Sequence, residues 1–183
     1  MFKKYNDGWI EAITGPMFSG KSEELIKRSN SLIYAKQKFL VFKHEIDNRW
    51  ETSKVKSRAG FSIECKTISN SSEIFDYITD DLKCVIIDEV QFFEENIHQN
   101  LRKIAEKGIR VIVAGLDMDY KCEPFGPMKN ILAVAEFVTK LTAVCFECGN
   151  AAAFTYRKDK SNQEVVAVGD AEYEARCRKC MQS

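Results

Sequence analysis

Charge of one sign, long apolar runs and histidine are what this chain of 183 residues has little of. Lys plus Arg and Asp plus Glu both count 27, so the net charge is zero and no global field draws the protein to nucleic acid or an anionic membrane. Any polyanion must be held by a local site. No run approaches the ~18 apolar residues of a membrane-spanning helix, and the opening MFKKYNDGWIEAIT has no apolar stretch of the length a secretory signal needs. The expectation is a soluble, cytoplasmic protein with neither membrane nor nucleic acid among its partners. The 2 histidines, His44 and His98, lack ligand partners at useful spacing. Internal repeats and low-complexity tracts are missing too. The 7 cysteines, an odd number, do not make a disulfide framework, whereas metal binding remains open to them.

What the chain does have is alternation. WIEAIT reads as a strand, Leu25, Ile26, Leu32 and Ile33 recur at helical spacing, and KFLVF reads as a second strand. A second unit repeats the pattern: CVIID as a buried strand, Ile97, Leu101, Ile104 and Ala105 on one helical face, Gly108 as the stop, and IRVIVAGL as the next strand. Strand–helix–strand order predicts an α/β fold with a parallel sheet and helices on both faces. The polar stretch 47–62 is expected to be an exposed loop. After Leu141 the character changes to paired cysteines and short strand-like runs, AAAFTYR and EVVAVG. The predicted organisation is a domain over 1–143 and a compact satellite over 144–183.

Between WIEAIT and the first helix lies GPMFSGKS. Gly15, Gly20, Lys21 and Ser22 have the G-x-x-x-x-G-K-S spacing of a P-loop. Glycines permit φ > 0, so successive backbone N–H groups turn inward and cradle phosphate at a helix N-terminus. Lys21 then reaches the β- and γ-phosphates and the Ser22 hydroxyl ligates Mg²⁺. The plainer alternative is a glycine turn before a helix that begins Lys-Ser. Asp88 ends an apolar strand, the position of a second Mg²⁺-managing carboxylate. Glu89 shares that site only if the backbone leaves β geometry there, because neighbouring side chains on a strand face opposite ways. Glu89 is then placed to take a proton from an attacking hydroxyl. The alternative is an acidic pair facing solvent.

Cys145-Phe-Glu-Cys148 and Cys177-Arg-Lys-Cys180 are two C-x-x-C pairs with 28 residues between them. Two such pairs on turns predict a closed, structural Cys₄ zinc site. Cys65, Cys84 and Cys122 read as packing or incidental thiols.

GPMFSGKS, DEVQFF, GLDMDYKCEPFG and KLTAVCFEC, in this order along nearly the whole chain, resemble the type II thymidine kinases. The resemblance implies a RecA-like sheet, a zinc-bearing C-terminal lasso, a homotetramer, and transfer of the γ-phosphoryl of ATP to the 5′-hydroxyl of thymidine or deoxyuridine. It implies ATP, Mg²⁺ and structural Zn²⁺ as cofactors. Glu89 corresponds to the general base, with Lys21 and Arg49 beside the transferred phosphate. Gly15, Pro16, Met17, Phe18, Ser19, Gly20, Lys21, Ser22, Asp88 and Gln91 correspond to the ATP-binding positions, Ser22 and Asp88 being those for Mg²⁺. Met17, Asp47, Phe92, Leu116, Tyr120 and Phe125 correspond to positions around the nucleoside. From the lasso come Thr155 on the base, Val165, Gly169 on the sugar, and Tyr173 as the ring over the base. Phe92 and Leu116 also read as core. Two rival readings are a nucleoside monophosphate kinase with a zinc-stapled lid and an ATP-gated nucleic-acid-binding zinc ribbon, the latter drawing on Arg176, Arg178 and Lys179.

Overall fold

Strand β1 (Ile10–Thr14) runs through the glycine-bounded loop into α1 (Lys21–Tyr34), and β2 (Phe39–His44) follows. Next come β3 (Lys54–Lys56), β4 (Ser62–Glu64), β5 (Lys66–Ile68), a 3-10 helix over Ser71–Tyr77, and β6 (Cys84–Asp88). A 3-10 turn, Val90–Phe92, leads to α2 (Ile97–Glu106), β7 (Arg110–Gly115), α3 (Met128–Val134) and β8 (Phe137–Lys140). Among the described residues four short strands follow: β9 (Ala143–Val144), β10 (Ala151–Ala152), β11 (Phe154–Arg157) and β12 (Tyr173–Arg176). This computed structural model describes residues 8–46, 54–56, 60, 62–159 and 172–182. Asp47, Arg49, Val165 and Gly169 lie outside the described residues.

One six-stranded sheet has the order β5-β2-β6-β7-β1-β8, and every neighbouring pair is parallel. Parallel strands need crossover connections, which lay helices on both faces and leave the strands buried on both sides. CVIID and RVIVAG are accordingly apolar almost throughout. Alternation deals their side chains to two cores. Val85, Ile87, Val111 and Val113 join Ile10, Ala12 and Phe42 against Ile97, Leu101 and Ile104 of α2 and Met128 and Ile131 of α3. Ile86, Ile112 and Ala114 join Ile13 and Val41 against Leu25 and Leu32 of α1. Each fully buried Ile or Leu contributes about 1.5–3 kcal/mol relative to exposure, so neither helix face is dispensable.

The helix boundaries follow local chemistry. Gly20 caps α1 in the left-handed region (φ 83, ψ 24). Beyond α2, Gly108 takes φ 80 and its N–H donates to the Ala105 carbonyl at 2.9 Å, a left-handed stop only glycine adopts without cost. Where the stretch 47–62 is described, at 54–56, 60 and 62, it departs in part from expectation. Among its described residues, Val55 on β3 pairs in register with Ile63 on β4, and Val55 is buried against the α1-side core. One apolar residue flanked by lysines is a period-2 signal too short to stand out from the charges around it.

The C-terminal strands form two antiparallel pairs, β9 with β10 and β11 with β12. Their core is small: Ala143, Cys145, Ala152, Ala175 and Cys177.

Candidate active site

The carboxyl ends of β1, β6 and β7 open on one edge of the sheet, where α/β proteins hold their ligands. β7 separates β1 from β6. Gly15 follows β1 with φ 145, and a Cβ there would stand 2.5 Å from the Leu141 carbonyl oxygen. Phe18, at φ 67, turns the loop again. The Lys21 ammonium donates to the carbonyls of Pro16 (2.8 Å) and Gly15 (3.2 Å), inside the loop it follows in sequence. Ser19 Oγ is buried and has no hydrogen-bond partner among the described residues. An orphaned hydroxyl and a lysine at a helix N-terminus, on a loop turned by Gly15, Phe18 and Gly20, make a cradle suited to phosphate oxygens. Pro16 and Met17 are buried, and Ser22 lies in the first turn of α1.

Asp88 ends β6 and is buried; its Oδ1 accepts from the Glu89 N–H at 3.0 Å. Glu89 itself adopts φ 49, ψ 44. The chain leaves β geometry at this residue, as a shared carboxylate site requires. A left-handed glutamate is uncommon, and such strain gathers at functional sites. Gln91 Nε2 donates to Glu89 Oε2, and Gln91 Oε1 accepts from the Leu116 N–H at 3.1 Å.

Residues 116–125, after β7, form a loop tied at its neck. The Phe125 N–H donates to Asp117 O at 3.0 Å, the Asp119 N–H donates to Glu123 O at 2.9 Å, and the Asp117 carboxylate pairs with Lys140 at 2.7 Å. Phe125 meets Phe92 edge to face with ring centroids 6.2 Å apart. Leu116, Tyr120, Phe92 and Phe125 are all half-buried, neither core nor free surface.

The lasso strands reach this edge. The Met17 N–H donates to Thr155 Oγ1 at 3.0 Å, both residues being buried and 138 positions apart. That hydroxyl keeps its own proton to donate. Arg157 faces two rings, Tyr120 at 5.0 Å and Tyr173 at 5.8 Å from its guanidinium carbon. The P-loop, the 116–125 loop and the lasso thus meet within one chain.

The four sulfurs of Cys145, Cys148, Cys177 and Cys180 lie within 4.8 Å of one another, and Cys148 and Cys177 Sγ are 3.6 Å apart. A disulfide requires about 2.05 Å, whereas tetrahedral thiolates on Zn–S bonds of about 2.3 Å sit about 3.8 Å apart. Burial pushes the Cys145 thiol up, but backbone N–H groups of Cys177, Cys148 and Glu147 hold it down at about 6. The cluster fits a zinc ion. Of the other thiols, Cys84 is buried in the α1-side core and burial pushes it up to about 12, Cys65 is half-buried, and Cys122 is exposed.

Three residues of this region are given no role by the sequence. Lys43 is buried and is the register partner of Asp88 on the neighbouring strand, on the same face; its signal is a lysine inside the apolar run FLVFKH. Arg157 has no local signal, and Asp117, though inside GLDMDYKCEPFG, gets no role from it, since the partners of both are remote. Arg176 is buried, ion-paired with Glu147 (2.8 Å) and Glu174 (3.2 Å), and lies 3.5 Å from the Tyr156 ring centre. Arg178 faces Phe154. Both make contacts within the C-terminal module.

Sheet order, phosphate cradle and strand-end carboxylates together define a P-loop nucleotide-binding protein carrying a Cys₄ module. A family model described as thymidine kinase matches residues 8–181. The thymidine kinase of Metamycoplasma arthritidis (strain 158L3-1) is 49% identical over 182 residues, covering 98% of this chain and 93% of that one. The thymidine kinase of Mesomycoplasma hyopneumoniae (strain 7448) is 50% identical over 181 residues, covering 98% of each. The chain belongs to the thymidine kinase family. Among solved structures, domain III of the Thermotoga maritima replication initiation protein DnaA aligns at a TM-score of 0.41 and 14% identity over 75% of this chain and 55% of that one, too weak a likeness to bear on the fold. Family membership favours the nucleoside kinase reading over both rivals.

Proposed function

We propose that the chain transfers the γ-phosphoryl group of ATP to the 5′-hydroxyl of thymidine, and of deoxyuridine, yielding the nucleoside monophosphate and ADP. The hydrogen bond from Met17 to Thr155 carries this reading, because it joins the phosphate loop to the lasso that covers the nucleoside. The backbone N–H groups of Phe18, Ser19 and Gly20 and the Lys21 ammonium bind the phosphates. Ser22 and Asp88 are the residues that would hold Mg²⁺, which when bound neutralises charge on the β- and γ-oxygens. Glu89 takes the 5′-hydroxyl proton as the O5′–Pγ bond forms and the bond from Pγ to the β,γ-bridging oxygen breaks. Arg49 is assigned beside the transferred phosphate by the family resemblance alone.

Thr155 presents its hydroxyl proton to the base, and Tyr173, Tyr120, Phe92, Phe125, Leu116 and Met17 wall the flat pyrimidine. Asp47, Val165 and Gly169 complete the nucleoside site by resemblance. Burial of both Met17 and Thr155 keeps water from the junction, which favours the nucleoside over water as acceptor. The unit divides into domains 1–143 and 144–183, the second closed by structural zinc on its four cysteines. Four thiols held together suit a cytoplasmic, reducing setting. Exposed Phe137 and Val138 on edge strand β8, with Val144 and Phe146, suit burial in a homotetramer; a one-chain mass by light scattering would remove that part.

A nucleoside panel tests the activity. With Mg²⁺ and ATP, thymidine and deoxyuridine are expected to yield monophosphates far faster than thymidine monophosphate yields diphosphate. Preference for the monophosphate would assign the chain to the rival kinase class.

A further inference from the structure

Gln91 is buried, and both ends of its amide are committed. Nε2 donates to the Glu89 carboxylate while Oε1 accepts from the Leu116 backbone. These partners fix the amide's orientation: an N–H can only donate to the oxygen and an ionised carboxylate can only accept, so a flip would lose both bonds. The backbone around Gln91 is shaped to admit it. A Cβ on Gly115 would lie 2.6 Å from Gln91 Oε1, and one on Gly126, which has φ 49, would lie 2.4 Å from the Gln91 carbonyl oxygen. Gly115 precedes Leu116 and Gly126 follows Phe125, so the clamp closes at both ends of the loop assigned to the nucleoside. Glu89 sits in a strained left-handed conformation, the kind that gathers at functional sites, and Gln91 Nε2 is a donor to its carboxylate.

We infer that Gln91 is a positioning residue: it orients the Glu89 carboxylate and ties that orientation to the 116–125 loop, so that the base and the nucleoside wall move as one unit. The inference rests on the assignment of Glu89 as the base. It gives Gln91 a task distinct from phosphate binding, the role implied by resemblance.

The test uses the full chain with thymidine, ATP and Mg²⁺, and four variants: Glu89→Gln, Gln91→Met, Gln91→Glu and the double variant Glu89→Gln/Gln91→Met. Gln91→Met keeps the volume and removes both bonds. Gln91→Glu keeps an acceptor for Leu116 but turns the donor to Glu89 into a second carboxyl, which repels the Glu89 carboxylate. Each single change at Gln91 is expected to lower kcat about 10- to 100-fold with KM for ATP within about twofold of native. In the double variant the Gln91 change is expected to lower turnover no further than Glu89→Gln alone, because there is no base left to orient. Native kcat in Gln91→Met, or a raised KM for ATP as the main effect, would overturn the inference. An additive loss in the double variant would do the same. Full turnover in Glu89→Gln would instead remove the base assignment, so the two failures are told apart.

Discussion

Glu11 lies on β1 facing α1, where Arg28 Nη1 reaches its carboxylate at 2.6 Å and Arg110 Nε does so at 2.6 Å, with the Trp9 indole N–H as a further donor. Burial alone would raise this carboxyl, but hydrogen bonds from Arg110 and Trp9 and the charges of Arg110 and Arg28 outweigh it and hold the pKa below the ordinary 4.5. A folded-state pKa below the unfolded one means the unfolded chain binds the proton more readily. The contribution of Glu11 is therefore complete above about pH 4.5 and is lost as pH falls through the folded value. Glu11→Gln leaves two guanidinium groups short of their counter-charge and is expected to cost about 3 kcal/mol at pH 7. Urea melts should show that gap between native and variant shrinking below pH 4.5. A gap that stays constant or widens in acid would contradict the assigned role. No motif announces this cluster, since its members come from β1, α1 and β7.

Among the elements, the lasso depends most on something beyond its own packing. Among the described residues its clustered core is alanine and cysteine side chains, a small apolar area to hold four short strands in place. Structural zinc sites in model peptides contribute about 10–16 kcal/mol, enough to order such a module. Cys145→Ser is therefore expected to lose zinc, scored as metal per chain, and to raise KM for thymidine while ATP still binds at the P-loop. Native zinc content and native KM in that variant would separate the cysteines from the nucleoside site. The same contrast explains which elements were legible. α1, β6, α2 and β7 carry their period in the sequence because each buries a full face, as Leu101 and Ile104 or Val85 and Ile87 show. β8 escaped because Phe137 and Val138 point outward on an edge strand. β3 escaped because only Val55 is buried among charges. The P-loop and cysteine pairs were legible because their chemistry demands local spacing. The link from Thr155 to Met17, the clamp of Gln91 and the stacking of Arg157 were not, since each joins residues that only the fold brings together.

At the scale of the whole molecule, a sheet that opens three strand ends on one edge carries the P-loop, the Asp88–Glu89 carboxylates and the 116–125 loop, and the C-terminal strands that bear the four-cysteine cluster meet them at Met17 and Thr155. The account holds that these form one enclosed site in each chain, so that phosphoryl transfer waits for the nucleoside. The direct measurement is the ADP released per thymidine monophosphate formed, followed with and without thymidine at saturating ATP and Mg²⁺. The account predicts a ratio near one with thymidine and little ADP without it. ADP production that proceeds at the same rate whether or not thymidine is present would contradict it.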